Sequence, residues 1–258
     1  MFELFSDIFT SRDNFFTRID SRVKLASSAV LIVTVLLCAK VYFPLSVLVF
    51  CLLSMILIGL PVRLILLRLA GPIGIVCVLV VLQTFLSGND TLFAIDLLHW
   101  KFIATRDGLM RGIVMGSRVL GAVSVILLLS SVTPAHKIFN SMRWFGIPEA
   151  WVEIALLVYR YTFSLLDQTS DVISAQSTRL GYSDLRKSLN SIGVLAGTVV
   201  TRSMDQAMRT YEAMTLRGYG GSMPFGPLPR LTTADFRDLL LALPLIIGIF
   251  LMMERYTV

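Results

Sequence analysis

The stretch Ile65–Leu86 reads ILLRLAGPIGIVCVLVVLQTFL and decides the fold class, because Arg68 is its only charged residue. A helix that crosses a lipid bilayer needs about 20 mostly apolar residues, at a rise of about 1.5 Å per residue. The stretch is long enough to meet this requirement. It therefore predicts a membrane-spanning helix.

The overall composition agrees with that prediction. Of 258 residues, 55% are hydrophobic and only 16% are charged, and the mean hydropathy is +0.77. A soluble domain carries about a quarter charged residues. Because so few charges cannot cover a soluble surface, lipid must be part of the solvent of this chain.

Other apolar segments accompany the first. Four of them are further candidate spans: Leu25–Ala39, Pro44–Leu60, Leu109–Val132 and Leu239–Met253. The first two and the last are shorter than about 20 residues and need flanking residues to cross the bilayer. The sequence thus predicts an all-α, polytopic membrane protein with about five transmembrane helices. A sixth run, Trp151–Leu166, contains Glu153 and Arg160. We expect it to lie at the membrane surface or in a groove, although the sequence leaves open whether it spans the bilayer.

The positive charges predict the orientation. With a cytoplasmic N-terminus, seventeen Lys and Arg residues fall in the inner segments and four in the outer ones. This bias matches the positive-inside rule, so we expect a multi-pass protein of the cell (inner) membrane with its N-terminus in the cytoplasm. The net charge of +6 is then explained by the orientation of the chain in the membrane. No basic run interleaved with aromatic residues indicates nucleic acid as a partner.

The predicted organisation has three parts. Residues 1–132 form an N-terminal bundle of four spans, residues 133–235 form helical cytoplasmic coupling elements, and residues 236–258 form a last transmembrane helix. A large helical insert on the cytoplasmic side suggests a protein that grips a soluble partner there.

Two features inside the fourth predicted span concern packing. Gly108, Gly112, Gly116 and Gly121 favour close helix contact on one face. Arg118 is the one charge well inside an apolar run, and such charges are costly. It either contacts a polar group of a partner or donates to backbone carbonyls of its own chain. The internal bond is favoured, because no Asp or Glu lies within a turn or two.

Catalytic and metal-binding patterns are lacking in the sequence. There is no phosphate loop of the form GxxxxGK[ST], so we expect that the chain does not itself hydrolyse ATP. Two histidines, His99 and His136, lie far apart, and the three cysteines Cys38, Cys51 and Cys77 have no CxxC spacing. A metal site needs several convergent ligands. We therefore expect no metal site, no cofactor and no enzymatic activity.

The predicted cytoplasmic insert contains two similar arginine-bearing segments, Thr178-Arg179-Leu180-Gly181-Tyr182 and Leu216-Arg217-Gly218-Tyr219. Arg near a helix C-terminus followed by Gly is ordinary capping chemistry, which explains either segment alone. We expect Gly181 to close the first helix and Ser183 or Asp184 to cap the next. The repetition within one insert favours a functional role.

The predicted helix that ends at the second arginine-bearing segment has an amphipathic pattern. Met204, Ala207, Met208 and Tyr211, with Met214 or Thr215, recur at intervals of three and four. Asp205 and Arg209 form an i,i+4 pair on the other face.

The chain resembles the transmembrane T component of energy-coupling factor transporters, closest to the cobalt-type CbiQ family. The resemblance covers most of the chain. It is carried in order by Asp20-Ser21-Arg22-Val23-Lys24-Leu25, Thr133-Pro134, Gly146-Ile147-Pro148, Tyr159-Arg160-Tyr161, Arg202-Ser203, Ala207, Arg209, Tyr211, Ala213-Met214, Leu216-Arg217-Gly218-Tyr219 and Gly221.

The resemblance implies a mechanism. In that family two X-Arg-X helix ends dock into grooves of a pair of cytoplasmic ATPase subunits, and the membrane helices hold a separate metal-binding S component. By position, the matching residues are Thr178-Arg179-Leu180 and Leu216-Arg217-Gly218. Both depart from the commonest family form, Ala-Arg-Gly or Ala-Arg-Ser, and the first departs more. The resemblance leaves open whether a small accessory membrane subunit joins the complex.

The resemblance thus implies the coupling subunit of a cobalt importer, with nickel as the alternative metal. Two other classes stay open from the residues alone. A stand-alone cation channel or secondary transporter would need polar residues along the spans, and Ser54, Gln83, Ser117 and Ser124 supply few. A membrane-embedded lipid enzyme using Arg160 and Glu153 would need a nucleophile or a metal cluster.

Overall fold

The computed structural model describes residues 19–86, 91–97 and 100–221, together with positions 244, 248, 250 and 252. The chain divides into two compact units. The first comprises Met1–Ser141 with Pro229–Val258, and the second comprises Met142–Leu228. The predicted three-part division of the chain stays a prediction.

Helices dominate the first unit, as the sequence predicts. Their bounds are α1 Ser21–Leu37, α2 Tyr42–Leu57, α3 Val62–Leu86, α4 Arg106–Val132 and α5 Ala135–Met142, whose last residue enters the second unit. The first four predicted apolar segments are thereby confirmed as helices, each of which begins two to four residues before the apolar run. The predicted last span, Leu239–Met253, lies largely outside the described residues.

Two of these helices meet the length and hydropathy of a complete membrane span, Val62–Phe85 and Arg106–Val132. Helix α2 is apolar but shorter, at 16 residues. The count of five spans therefore stays a prediction.

A short antiparallel hairpin joins α3 to α4, a feature that the apolar runs did not predict. Its strands are β1 Thr91–Leu97 and β2 Trp100–Thr105, with Thr91 opposite Thr105 and Leu97 opposite Trp100. The hydroxyl of Thr105 donates to the backbone carbonyl of Thr84, 3.1 Å away. This bond ties the end of the hairpin to the last turn of α3.

The glycines of α4 pack against neighbouring helices, which confirms the predicted close contact. A Cβ atom on Gly112 would lie 3.2 Å from the Cα atom of Val80 in α3. A Cβ atom on Gly121 would lie 3.0 Å from the carbonyl oxygen of Pro44 in α2. Since these neighbours are backbone atoms, they cannot move aside cheaply, and glycine is needed for the contact.

Arg118 makes the internal hydrogen bond that the sequence favoured. Its Nε donates to the carbonyl oxygen of Cys38 at 2.8 Å, directly after the C-terminus of α1. A cation at the negative end of a helix dipole is in a favourable position. The bond therefore accounts for this charge within an apolar helix.

The second unit contains a 3-10 turn, Arg143–Phe145, and two long helices, α6 Glu149–Thr178 and α7 Leu185–Leu216. The run Trp151–Leu166 lies wholly inside α6. Hydrogen bonds pair Tyr161 with Thr210 and Gln176 with Ser191, so the two helices run antiparallel. At about 1.5 Å per residue, the 32 residues of α7 extend about 48 Å.

Candidate docking site

The first arginine-bearing segment is the C-terminal cap of α6. Arg179 is the cap residue, and Leu180 follows with a φ of +57°. The amide of Leu180 donates to the Ser177 carbonyl at 3.0 Å, and the amide of Gly181 donates to the Gln176 carbonyl at 2.9 Å. These two bonds define a Schellman motif, which closes a helix through one left-handed residue.

Gly181 helps to close this helix, as predicted, through the bond from its amide, while Leu180 takes the left-handed conformation. Glycine is required at 181 because of the space around it. A Cβ atom there would lie 2.7 Å from Ser191 Oγ and 2.9 Å from the Gln176 carbonyl oxygen. The Ser191 hydroxyl in turn donates to the Gly181 carbonyl at 2.9 Å. Asp184 is the N-cap residue of α7, as predicted, although its side chain makes no capping bond.

The second arginine-bearing segment ends α7 in the same way. Arg217 is the cap residue, and Gly218 is left-handed with a φ of +83°. The amide of Gly218 donates to Thr215 at 3.0 Å, and the amide of Tyr219 donates to Met214 at 3.0 Å. Both helix ends therefore present an arginine in the same backbone geometry, with a strain-free glycine only at the second.

Both arginines are exposed, and each has an exposed leucine beside it. Leu180 keeps 68% of its surface accessible and Leu216 keeps 89%. Arginine is enriched among the residues that contribute most to protein–protein binding. In the parts of the chain that the structure describes, neither arginine has an ion-pair partner. Thr178, next to Arg179, donates its hydroxyl to the Ala175 carbonyl at 2.9 Å.

A tyrosine anchors each helix end, and the sequence did not reveal how. The Tyr182 hydroxyl donates to Gln176 Oε1 at 2.6 Å, and Gln176 Nε2 donates to the Ser191 carbonyl at 3.0 Å. At the other end Tyr219 bonds to the buried carboxylate of Glu153, and this bond raises the pKa of Tyr219. The only available signal was a tyrosine soon after each arginine.

A basic cleft of about 560 Å³ lies between α6 and α7, beside the last turns of α7. Arg160 of α6 and Arg209 and Arg217 of α7 line it. Arg209 Nε donates to the Asp205 backbone carbonyl at 3.3 Å. The predicted Asp205–Arg209 pair is thus a contact between the arginine side chain and the Asp205 backbone, and the two side chains form no ion pair in the described residues.

The predicted apolar face of α7 is present and points outward. Met204 is 65% exposed, and Met208 and Tyr211 are each 60% exposed. The opposite face, which includes Gln206 and Thr210, is half-buried against α6. Within this unit the apolar face is therefore uncovered.

Metal ligation has no obvious location within the described ranges. In them, no group of three or more His, Cys, Asp or Glu side chains is placed to hold a metal ion.

Comparison with known proteins gives one family match. Residues 12–225 match the sequence model of the family CbiQ, described as cobalt transport protein. This range includes both arginine-bearing helix ends.

Three similar proteins illustrate the range of relatives. An uncharacterized protein of Methanocaldococcus jannaschii is 30% identical over 152 residues, 59% of this chain and 57% of that protein. The cobalt transport protein CbiQ of Rhodobacter capsulatus is 32% identical over 95 residues, 37% of this chain and 39% of that protein. The energy-coupling factor transporter transmembrane protein EcfT of Clostridium kluyveri is 25% identical over 251 residues, 91% of each chain. The chain thus spans about half the length, or less, of the first two relatives.

Proposed function

Because the chain belongs to the CbiQ family of cobalt transport proteins, we propose that it is the transmembrane coupling subunit of an energy-coupling factor importer for cobalt. Helices α3 and α4 are long and apolar enough to span a bilayer, and the protein is a membrane protein. Its proposed role is to transmit ATPase motion to a separate metal-binding membrane subunit, the S component.

One observation carries the proposal: the two arginine-bearing ends share a backbone geometry and lie at opposite ends of α7. Arg179 lies just before the start of α7 and Arg217 at its end. The length of α7 places them more than 40 Å apart. That separation suits two ATPase subunits, one at each end. A guanidinium stays charged and can form two parallel bonds with a carboxylate, so each arginine suits a groove with an acidic group.

The hydrogen bonds between α6 and α7 support the transmission of force. Tyr219–Glu153, Thr210–Tyr161 and Gln176–Ser191 connect the helices near both ends and in the middle. Because an isolated helix end frays easily, a pull on an unanchored arginine would unwind the last turn. Anchored in this way, the hairpin moves as a lever when the ATPase subunits close.

The exposed apolar face of α7 supports a further contact in the complex. Met204, Met208 and Tyr211 would be covered by the S component, so that movement of the hairpin tilts the bound metal-carrying subunit. Methionine side chains adapt to different surfaces and suit a contact that changes during transport.

The test begins with purification of the chain in mild detergent from its native cells, followed by mass spectrometry. Recovery of an ATPase that contains a phosphate loop, together with a second membrane subunit, supports the coupling role. Uptake of cobalt or of nickel by the reconstituted complex then identifies the metal. A chain that purifies alone and moves a cation in liposomes would overturn the proposal and favour a channel or secondary transporter.

The arginine ends are tested by substitution in the reconstituted complex. Arg217→Glu places a negative charge against an acidic groove and should reduce ATP-dependent uptake by at least tenfold, since like charges at an interface cost several kcal/mol. Arg179→Ala should reduce uptake less than Arg217→Ala, because Thr178-Arg179-Leu180 departs further from the family form. Normal uptake by Arg217→Glu would remove Arg217 from the mechanism.

A further inference from the structure

The basic cleft between α6 and α7 extends the surface around Arg217. Its volume is about 560 Å³, and its charged lining consists of Arg160, Arg209 and Arg217, with no carboxylate among the lining residues. The Thr210–Tyr161 hydrogen bond, 3.0 Å long, fixes the two helices beside it. Arg217 is therefore one of three cations that share a single concave surface.

None of these three arginines forms an ion pair within the described residues. Arg209 donates to a backbone carbonyl, and the Arg160 guanidinium lies 6.0 Å from the ring of Tyr161. The ion pair seen in the described part of the chain joins Arg143 to Glu149 instead. A concave surface lined by three arginines and no carboxylate has a positive potential, which favours an anionic ligand.

We propose that the cleft is a docking surface for an acidic segment of the ATPase subunit that Arg217 engages, and that this segment carries at least two carboxylates. The inference rests on the coupling role proposed above and specifies the partner's chemistry at this one end. Arg217 binds one carboxylate, and Arg160 and Arg209 bind a second.

The remaining lining of the cleft favours a peptide over a small anion. Leu157, Ala213 and Met214 lie beside the arginines. A segment with side chains contacts both the apolar and the charged parts, since the methylene groups of Glu can cover apolar surface. Inorganic phosphate would use the cations alone.

The first experiment measures binding of a fluorescein-labelled hexaglutamate peptide to the full chain in detergent, by fluorescence anisotropy at low salt. The double variant Arg160→Gln/Arg209→Gln should raise the Kd at least tenfold. The matched double variant Arg186→Gln/Arg202→Gln removes the same charge from exposed positions of α7 outside the cleft and should change the Kd less than threefold. Equal effects of the two double variants, or no effect of the first, would overturn the proposal.

A competition experiment distinguishes a peptide-binding cleft from a phosphate-binding one. Sodium phosphate and sodium chloride at equal ionic strength should displace the peptide to the same extent, because both act only by screening. Stronger displacement by phosphate would assign the cleft to a small anion and would contradict the docking proposal.

The second experiment uses the purified ATPase subunits of the complex and distinguishes this inference from the proposed function. We expect Arg217→Glu to weaken ATPase binding more than tenfold and Arg160→Gln/Arg209→Gln to weaken it about tenfold, with a smaller salt dependence. If only Arg217→Glu weakens binding, the cleft inference fails and the coupling role stands. If the ATPase subunits do not bind the unmodified chain, the coupling role itself fails.

Discussion

Replacement of Leu180 by glycine tests whether the first arginine end is strained. A left-handed conformation costs a residue with a Cβ atom about 1–2 kcal/mol, a cost that glycine avoids. Glycine loses about 0.4–1 kcal/mol of this gain because it is more flexible in the unfolded chain. Since Leu180 is 68% exposed, little buried apolar surface is lost. The net expectation is that Leu180→Gly stabilises the end of α6 by about 1 kcal/mol.

The assay is hydrogen–deuterium exchange at the amide of Gly181, which donates to the Gln176 carbonyl at 2.9 Å. A stabilisation of about 1 kcal/mol should slow local opening about fivefold. Leu180→Ala is the matched control, because it shortens the side chain but keeps the Cβ atom and therefore the strain. Equal exchange in the alanine and glycine variants, or faster exchange in the glycine variant, would refute the assignment of strain to Leu180.

Two further predictions concern other parts of the molecule. Gly121→Ala should destabilise the helix bundle by about 1–3 kcal/mol through overpacking and lower its Tm, whereas Gly74→Ala, with nothing within 4 Å of its Cβ, should not. Tyr219 should titrate above pH 10, because its bond to Glu153 raises its pKa. The bond contributes to stability below that pKa and is lost as the pH rises through it. The tyrosinate absorbance of Tyr219, identified by subtracting the spectrum of Tyr219→Phe, should therefore appear at a higher pH than that of free tyrosine.

The helices of the first unit could be predicted because apolar runs of this length have few alternatives. Each run from Leu25 to Val132 became a helix, and the start of each moved outward by two to four residues. Packing of the α4 glycines followed from their spacing, and the internal bond of Arg118 followed from the absence of nearby carboxylates. In these cases the deciding information is local in the sequence.

The parts that could not be predicted depend on contacts between distant residues. The bond between Glu153 and Tyr219 joins the start of α6 to the end of α7, and no single-sequence pattern reveals it. The sequence placed Gly181 at the end of the helix, but it did not reveal that a Cβ atom there would lie only 2.7 Å from Ser191 Oγ, which leaves no room for a side chain. The periodicity of α7 correctly predicted which residues form its apolar face. Because α6 packs against the opposite face, the apolar face stays uncovered, and the sequence alone did not reveal this.

The shared backbone geometry of the two helix ends has a consequence for how such a complex could be encoded. A dimer of identical subunits has two identical binding sites, whereas a single polypeptide rarely has two segments of the same shape to occupy them. Here Arg179 and Arg217 are each followed by one left-handed residue and the same pair of hydrogen bonds. One asymmetric chain therefore has two docking segments of the same backbone shape. In the proposed complex, a single gene for the ATPase subunit would then be enough. The sequence around each helix end would be free to diverge as long as the cap conformation is kept.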